Sequence, residues 1–154
     1  MCGIWTRTKF AIQIAPEEIL HPLRTLSHRG PDDWAWWSNQ DVALLHTRLS
    51  INDLSGGAQP MVSYDGRWIG VINGELYDYK NIRKELTERG VHFKTSSDSE
   101  VLLNLYADQG IKGLAKVSGE FSFIFYDRDN RALHFGRDIF GVKPLFFEQK
   151  QNQI

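Results

Sequence analysis

The chain has 154 residues, with 18 lysines and arginines against 19 aspartates and glutamates, a formal net charge of -1 that leaves no electrostatic footprint for nucleic-acid binding. No apolar run approaches the roughly 20 residues that span a bilayer, and the first residues lack a signal-peptide pattern, so a cytoplasmic location and no membrane partner are expected. With 42% hydrophobic residues, the length predicts one globular domain over residues 1–154 that builds its core without disulfides.

The single cysteine stands at position 2, so no intramolecular disulfide and no cysteine-based metal cage can form. Residues 3–10 read as a strand. Residues 16–26 open with Pro16 and two acids, and they place Ile19, Leu23 and Leu26 at helical spacing, although Pro22 argues against an unbroken helix. Segments 34–38, 42–47 and 68–72 have strand character and are separated by Asn/Asp/Gly-rich turns. Residues 78–89 form an amphipathic helical pattern with Tyr79, Ile82 and Leu86 on one stripe, and Gly90 suits its end. A Ser-Asp-Ser-Glu cluster starts a second helix over 97–107. Segment 120–126 alternates Phe121, Phe123 and Phe125 on one face, and with 132–136 it makes a hairpin across a polar turn at 127–131. A last strand is expected at 145–147. Strands and helices segregate, so the class is α+β with largely antiparallel sheet, two stacked sheets having helices outside.

Five segments could carry chemistry. If the initiator Met is removed, Cys2 holds a thiol and a free α-amine, and an amine of pKa about 7.7 to 8.0 can serve as base for its own thiol. An incidental cysteine is the plain alternative. Arg48 ends a strand and suits bidentate binding of a carboxylate, or is a surface arginine. Asn73-Gly74 after an apolar strand can form an oxyanion hole from a side-chain amide and a backbone N–H, or is an ordinary turn. Asp98, in the helix-starting cluster, can cap the helix and also meet a substrate ammonium group. Arg137 and Asp138 precede a Gly-containing turn and could pair to buttress a site. Jointly, a thiol with an amine, an arginine, an aspartate and an oxyanion hole are what is needed to hold a free amino acid and attack its side-chain carbonyl; glutamine fits.

The order Met1-Cys2-Gly3-Ile4, His28-Arg29-Gly30-Pro31-Asp32-Asp33, Arg48-Leu49-Ser50-Ile51, Gln59-Pro60-Met61, Asn73-Gly74-Glu75-Leu76-Tyr77, Ser97-Asp98-Ser99-Glu100 and Gly136-Arg137-Asp138 through Phe147 resembles the class II (N-terminal nucleophile) glutamine amidotransferase domain of glutamine-hydrolysing asparagine synthetases. The resemblance implies a four-layer αββα sandwich. It also implies that Cys2 attacks the glutamine amide, that Asn73 and Gly74 form the oxyanion hole, and that Arg48 binds the α-carboxylate. Glu75 and Asp98 would bind the α-ammonium group, with Leu49, Ser50, Ile51 and Asn52 lining the pocket. No metal or organic cofactor is implied for this half reaction, and ATP-Mg would belong to a separate synthetase domain or subunit. Against the family the chain reads as short at its C-terminus, an uncovered sheet edge being open to a second copy. Leu54-Ser55-Gly56-Gly57 is not a pyrophosphate loop, since Ala58-Gln59 follow it. Besides an active glutaminase, a catalytically silent binding module and a truncated remnant are the alternatives; the retained Cys2 favours the enzyme.

Overall fold

A computed structural model describes residues 1–8, 14–51, 53 and 56–149. In chain order they form β1 (Gly3–Thr8), α1 (Pro16–Leu26), β2 (Asp33–Ser38), β3 (Val42–Arg48), β4 (Met61–Val62), β5 (Trp68–Leu76), α2 (Tyr79–Glu88), α3 (Asp98–Gln109), α4 (Ile111–Leu114), β6 (Gly119–Asp127) and β7 (Ala132–Arg137). Two antiparallel sheets result, ordered β1-β3-β2 and β4-β5-β6-β7.

Strand alternation stacks these sheets into layers, because successive side chains leave a strand on opposite faces. Val42 and Leu44 of β3 meet Ile69 and Val71 of β5 and Ile124 and Tyr126 of β6 in the core between the sheets. Their neighbours Ala43 and Leu45 turn the other way and pack with Ile14 and Ile19 beneath α1. On the far side of the second sheet, Trp68, Ile72, Phe121, Phe123 and Phe125 pack against Leu102, Leu103 and Tyr106 of α3. The layers are therefore helix, sheet, sheet, helix. Aromatic geometry reinforces the last contact: Trp68 and Tyr106 meet edge-on at 5.1 Å between centroids, and Phe123 and Phe125 lie 4.5 Å apart. Such pairs add about 0.5–1.5 kcal/mol each beyond area burial.

Local chemistry explains the helix ends. Glu18 accepts the Ala15 N–H at 3.0 Å and also pairs with Arg7 at 2.9 Å, which fixes the start of α1 and ties it to β1. Pro22 does not interrupt α1; its ring is buried against the sheet alongside Ile19, an apolar gain that offsets one lost backbone bond. The Ser97 side chain accepts the Ser99 N–H at 3.1 Å and caps α3. Residues 98 to 106 of α3 are all buried, as expected of a helix enclosed by a sheet and two neighbouring helices.

Two expectations change. The strand expected at 68–72 continues through Asn73 and Gly74 to Leu76, so Asn-Gly is not a turn. The strand expected at 145–147 does not form: no strand among the described residues pairs with it, and Phe146 is 90% exposed. Aromatic β propensity needs a pairing neighbour to become a strand; here Leu145 packs at the inter-sheet core and the Phe147 ring lies 5.7 Å from that of Phe135, without any ladder. Residues 9 and 10 of the first expected strand lie outside the described residues.

Candidate functional site

β1 and β3 are neighbours in register, Gly3 opposite Thr47 and Ile4 opposite His46, which brings Cys2 beside the end of β3. The Leu49 N–H donates to Cys2 Sγ at 3.4 Å, and the thiol donates toward the Leu49 carbonyl at 3.7 Å. Arg29 Nε donates to the Cys2 carbonyl at 3.1 Å, so the 28–33 motif anchors the cysteine's backbone. The same motif holds the chain after β3: Asp32 N–H donates to the Arg48 carbonyl at 3.0 Å, and the Ser50 N–H donates to Asp32 Oδ2 at 2.7 Å. Met1 precedes the cysteine and is 54% exposed.

A cavity of about 190 Å³ opens at this junction. Of the residues singled out from the sequence, Cys2, Arg48, Leu49, Ile51, Asn73, Gly74, Glu75 and Asp98 all line it. Ser50 is spent on Asp32 beside it, and Asn52 lies outside the described residues.

The backbone of β5 supplies the cavity's donor. The Ile72 N–H donates to Gln59 Oε1 at 2.7 Å and the Leu76 N–H to Asp98 Oδ2 at 2.9 Å, so both point away from β6. Alternate residues of a strand direct their N–H groups to the same side, and Gly74 stands between these two. Its N–H is thus directed to the side of the cavity it lines. A Cβ on Gly74 would lie 2.1 Å from the Glu120 carbonyl oxygen and 2.5 Å from Phe121 Cα, a close strand approach that only glycine permits.

Charged groups of both signs line the cavity. Arg48 is buried, and its Nη2 donates to the Asp53 carbonyl at 2.5 Å. Asp53 in turn accepts the Gly56 N–H at 2.9 Å and the Ser96 N–H at 2.8 Å, joining the loop after β3 to the approach of α3. The Ser96 N–H holds the Asp53 carboxyl below the usual carboxylate range. Asp98, also on the cavity wall, accepts the Leu76 and Ser99 N–H groups; burial nevertheless pushes its carboxyl upward, and the charge of Glu75 adds to that. Glu75 and Glu120 are directly cross-strand, an unfavourable pairing of like charges that Lys143 relieves by an ion pair with Glu120 at 2.7 Å.

Lys143, Glu120, Gln59, Ser99 and His46 line the cavity as well and were not legible as site residues. The expected Arg137–Asp138 pair does not form among the described residues. Asp138 instead accepts the N–H groups of Phe140, Val142 and Lys143 at 3.0 to 3.1 Å, closing the turn that delivers Lys143. Burial alone would raise its carboxyl, but these backbone donors outweigh that and hold it below the usual range. Its reach is local, because a carboxylate so saturated with backbone donors has little left for a guanidinium. Among the described residues no cluster of His, Cys, Asp and Glu has the arrangement of a metal site, and no helix is long and apolar enough to cross a membrane.

Two stacked antiparallel sheets between helices, with a cysteine at the head of the first strand facing a cavity, form the layered fold of the N-terminal-nucleophile type. That fold is shared with the solved structure of glutamine phosphoribosylpyrophosphate amidotransferase from B. subtilis complexed with ADP and GMP, at a TM-score of 0.63 and 18% identity over 83% of this chain and 35% of that one. Residues 1–154 match the family model described as a glutamine amidotransferase domain, and the chain belongs to that family. It is 39% identical over 154 residues to asparagine synthetase [glutamine-hydrolyzing] 3 of Bacillus subtilis (strain 168), covering 97% of this chain and 25% of that protein. It is 35% identical over 158 residues to asparagine synthetase [glutamine-hydrolyzing] 2 of the same organism, covering 100% and 21%. With asparagine synthetase B [glutamine-hydrolyzing] of Escherichia coli (strain K12) the identity is 38% over 123 residues, covering 80% and 22%. The chain thus spans about a fifth to a quarter of the length of these relatives.

Proposed function

We propose that the chain hydrolyses L-glutamine to glutamate and ammonia, and that the ammonia serves an asparagine-synthetase-type amidation. The observation that carries this reading is the convergence of Cys2, Asn73, Gly74, Arg48 and Asp98 on one cavity. Removal of the exposed Met1 frees the Cys2 α-amine, which takes the thiol proton as Sγ attacks the amide carbon. Charge developing on the amide oxygen is met by the Asn73 side-chain amide and the Gly74 N–H. Arg48 takes the α-carboxylate, in the fork geometry that favours arginine. Asp98 and Glu75 take the α-ammonium group. The amine returns its proton to the leaving nitrogen, ammonia departs, and water hydrolyses the glutamyl thioester. Nothing in this half reaction calls for a metal or organic cofactor, and ATP-Mg belongs to the synthetase step.

A synthetase partner, as a further domain or a separate subunit, receives the ammonia in this reading; the relatives' greater length supports it. Ile139 and Phe140, 93% and 88% exposed in the turn that carries Lys143, offer such a partner an apolar contact. Location in the cytoplasm accords with this role. The direct assay is release of glutamate from glutamine by the protein and by its Cys2→Ala variant. The reading expects activity in the first and none in the second, and activity retained by Cys2→Ala overturns it.

A further inference from the structure

An enclosed ammonium group carries three N–H donors and calls for three acceptors, one more than Glu75 and Asp98 make. Asp98 is moreover partly committed, since Oδ2 takes the Leu76 N–H at 2.9 Å and Oδ1 the Ser99 N–H at 3.0 Å. The polar side chains beside it are engaged as well. Gln59 Oε1 takes the Ile72 N–H at 2.7 Å, Ser97 Oγ takes the Ser99 N–H at 3.1 Å, and Ser99 Oγ takes Gln59 Nε2 at 3.3 Å.

Glu120 is placed to supply the third acceptor. On β5, Val71 faces the core between the sheets, so Asn73 and Glu75, two and four residues on, share that face. On β6, Ile124 faces the same core, and the same alternation puts Ser122 and Glu120 there. Glu75 and Glu120 are opposite each other in register and both line the cavity. Residues so paired have Cβ atoms about 4.5–5.5 Å apart, close enough for two carboxylates to share one cation. Lys143 Nζ donates to Glu120 Oε1 at 2.7 Å, and among the described residues no hydrogen bond takes Oε2. The Lys143 side chain is 10% exposed and that of Glu120 29%, so the cation is enclosed and the carboxylate it steadies is the more open partner. A carboxylate bonded through one oxygen keeps the lone pairs of the other. Three carboxylates and two cations, Arg48 and Lys143, thus line the cavity, and one further positive group balances them.

We propose that Glu120 Oε2 accepts a hydrogen bond from the α-ammonium group of glutamine, beside Glu75 and Asp98, and so makes the site selective for a free α-amino acid. The proposal rests on the glutaminase reading. Glutamine whose α-nitrogen is acylated, or lies within a peptide, brings one neutral N–H to these carboxylates and leaves their charge uncompensated. The ammonium group of free glutamine satisfies all three.

The test compares L-glutamine with glutaramate, which is glutamine without its α-amino group and has the same carboxylate and the same scissile amide. For Glu120→Ala the expected result is a loss of about ten- to a hundredfold in kcat/KM on glutamine, carried in KM, with glutaramate hydrolysis within about threefold of wild type. Glu120→Gln, which keeps an acceptor oxygen but not the charge, should fall between Glu120→Ala and wild type. Equal losses on both substrates, or no loss on glutamine, overturn the proposal. So does a wild-type protein that hydrolyses glutaramate as well as glutamine. A wild-type protein that hydrolyses neither substrate instead defeats the glutaminase reading, and this proposal with it. Should Glu120→Ala not fold, Glu120→Gln, which has the shape of the native side chain and removes the like charge facing Glu75, carries the same comparison. Its preference for glutamine over glutaramate should drop by about threefold or more, and an unchanged preference overturns the proposal.

Discussion

Placing a methyl group on Gly74 tests the oxyanion geometry through the backbone. In Gly74→Ala the new Cβ would stand 2.1 Å from the Glu120 carbonyl oxygen, where ordinary contact begins near 3.4 Å. The obstacle is the backbone of β6, at Glu120 and Phe121, so β5 must move away from β6 and carry the Gly74 N–H toward the cavity. A displacement of about 1 Å at a reacting centre costs on the order of 10²-fold in rate. Loss of one oxyanion donor costs about 10² to 10³ in kcat by itself. We therefore expect kcat to fall by at least about 10²-fold while KM stays near its wild-type value, since Arg48 and Asp98 are untouched. Overpacking should cost about 1–3 kcal/mol of stability, and each kcal/mol lowers Tm by about 2–4 °C in a domain of this size. Glutamate release and a circular dichroism melt measure the two effects separately. Asn73→Ala removes the other donor without any clash and should show the kcat loss with little change in Tm. If Gly74→Ala and Asn73→Ala both keep kcat within about threefold of wild type, the oxyanion assignment is wrong.

Other consequences follow from charge and loop contacts. Asp98→Asn removes a carboxylate whose folded pKa is raised, so its ionisation costs stability above that pKa and ceases to cost anything below the unfolded value. The variant should hold or raise Tm at pH 7 while KM for glutamine rises about tenfold or more; in the wild type, KM should climb on acidification before an ordinary aspartate would titrate. His46 gives the opposite sign. Its folded pKa of about 4 lies below the unfolded value of 6.5, so stability is lost as pH falls from about 6.5 to 4. That loss amounts to about 3 kcal/mol, and chemical denaturation of His46→Gln should show a flatter acid limb over the same interval. Asp53→Ala frees the Ser96 and Gly56 N–H groups and loosens the loop whose carbonyl holds Arg48. It should raise KM more than it lowers kcat in the glutamate-release assay.

Much of the architecture could be read from local pattern. α1 begins and ends where its proline, acids and apolar spacing place it, and β6 follows the Phe121, Phe123, Phe125 alternation. Where local pattern misled, tertiary partners decided. Asn73-Gly74 looks like a turn because its residues favour turns, yet in the fold Gly74 is the point where β5 presses closest on β6, and the strand runs through it. Residues 145–147 have strand composition but no neighbouring strand. The site divides the same way. Cys2, Arg48, Asn73, Gly74, Glu75 and Asp98 carry recognisable chemistry in recognisable order. Gln59, Glu120 and Lys143 become site residues only through contacts across the fold, and His46 reads as a strand residue until the fold brings it to the cavity wall.

Cys2, freed of Met1, is the proposed nucleophile. Mass spectrometry after exposure to an electrophilic glutamine analogue such as a diazoketone measures it most directly. A processed N-terminus and one adduct, on Cys2, are expected, with glutaminase activity lost in proportion to labelling. Glutaminase activity from protein that retains Met1, or that survives complete labelling of Cys2, would contradict it.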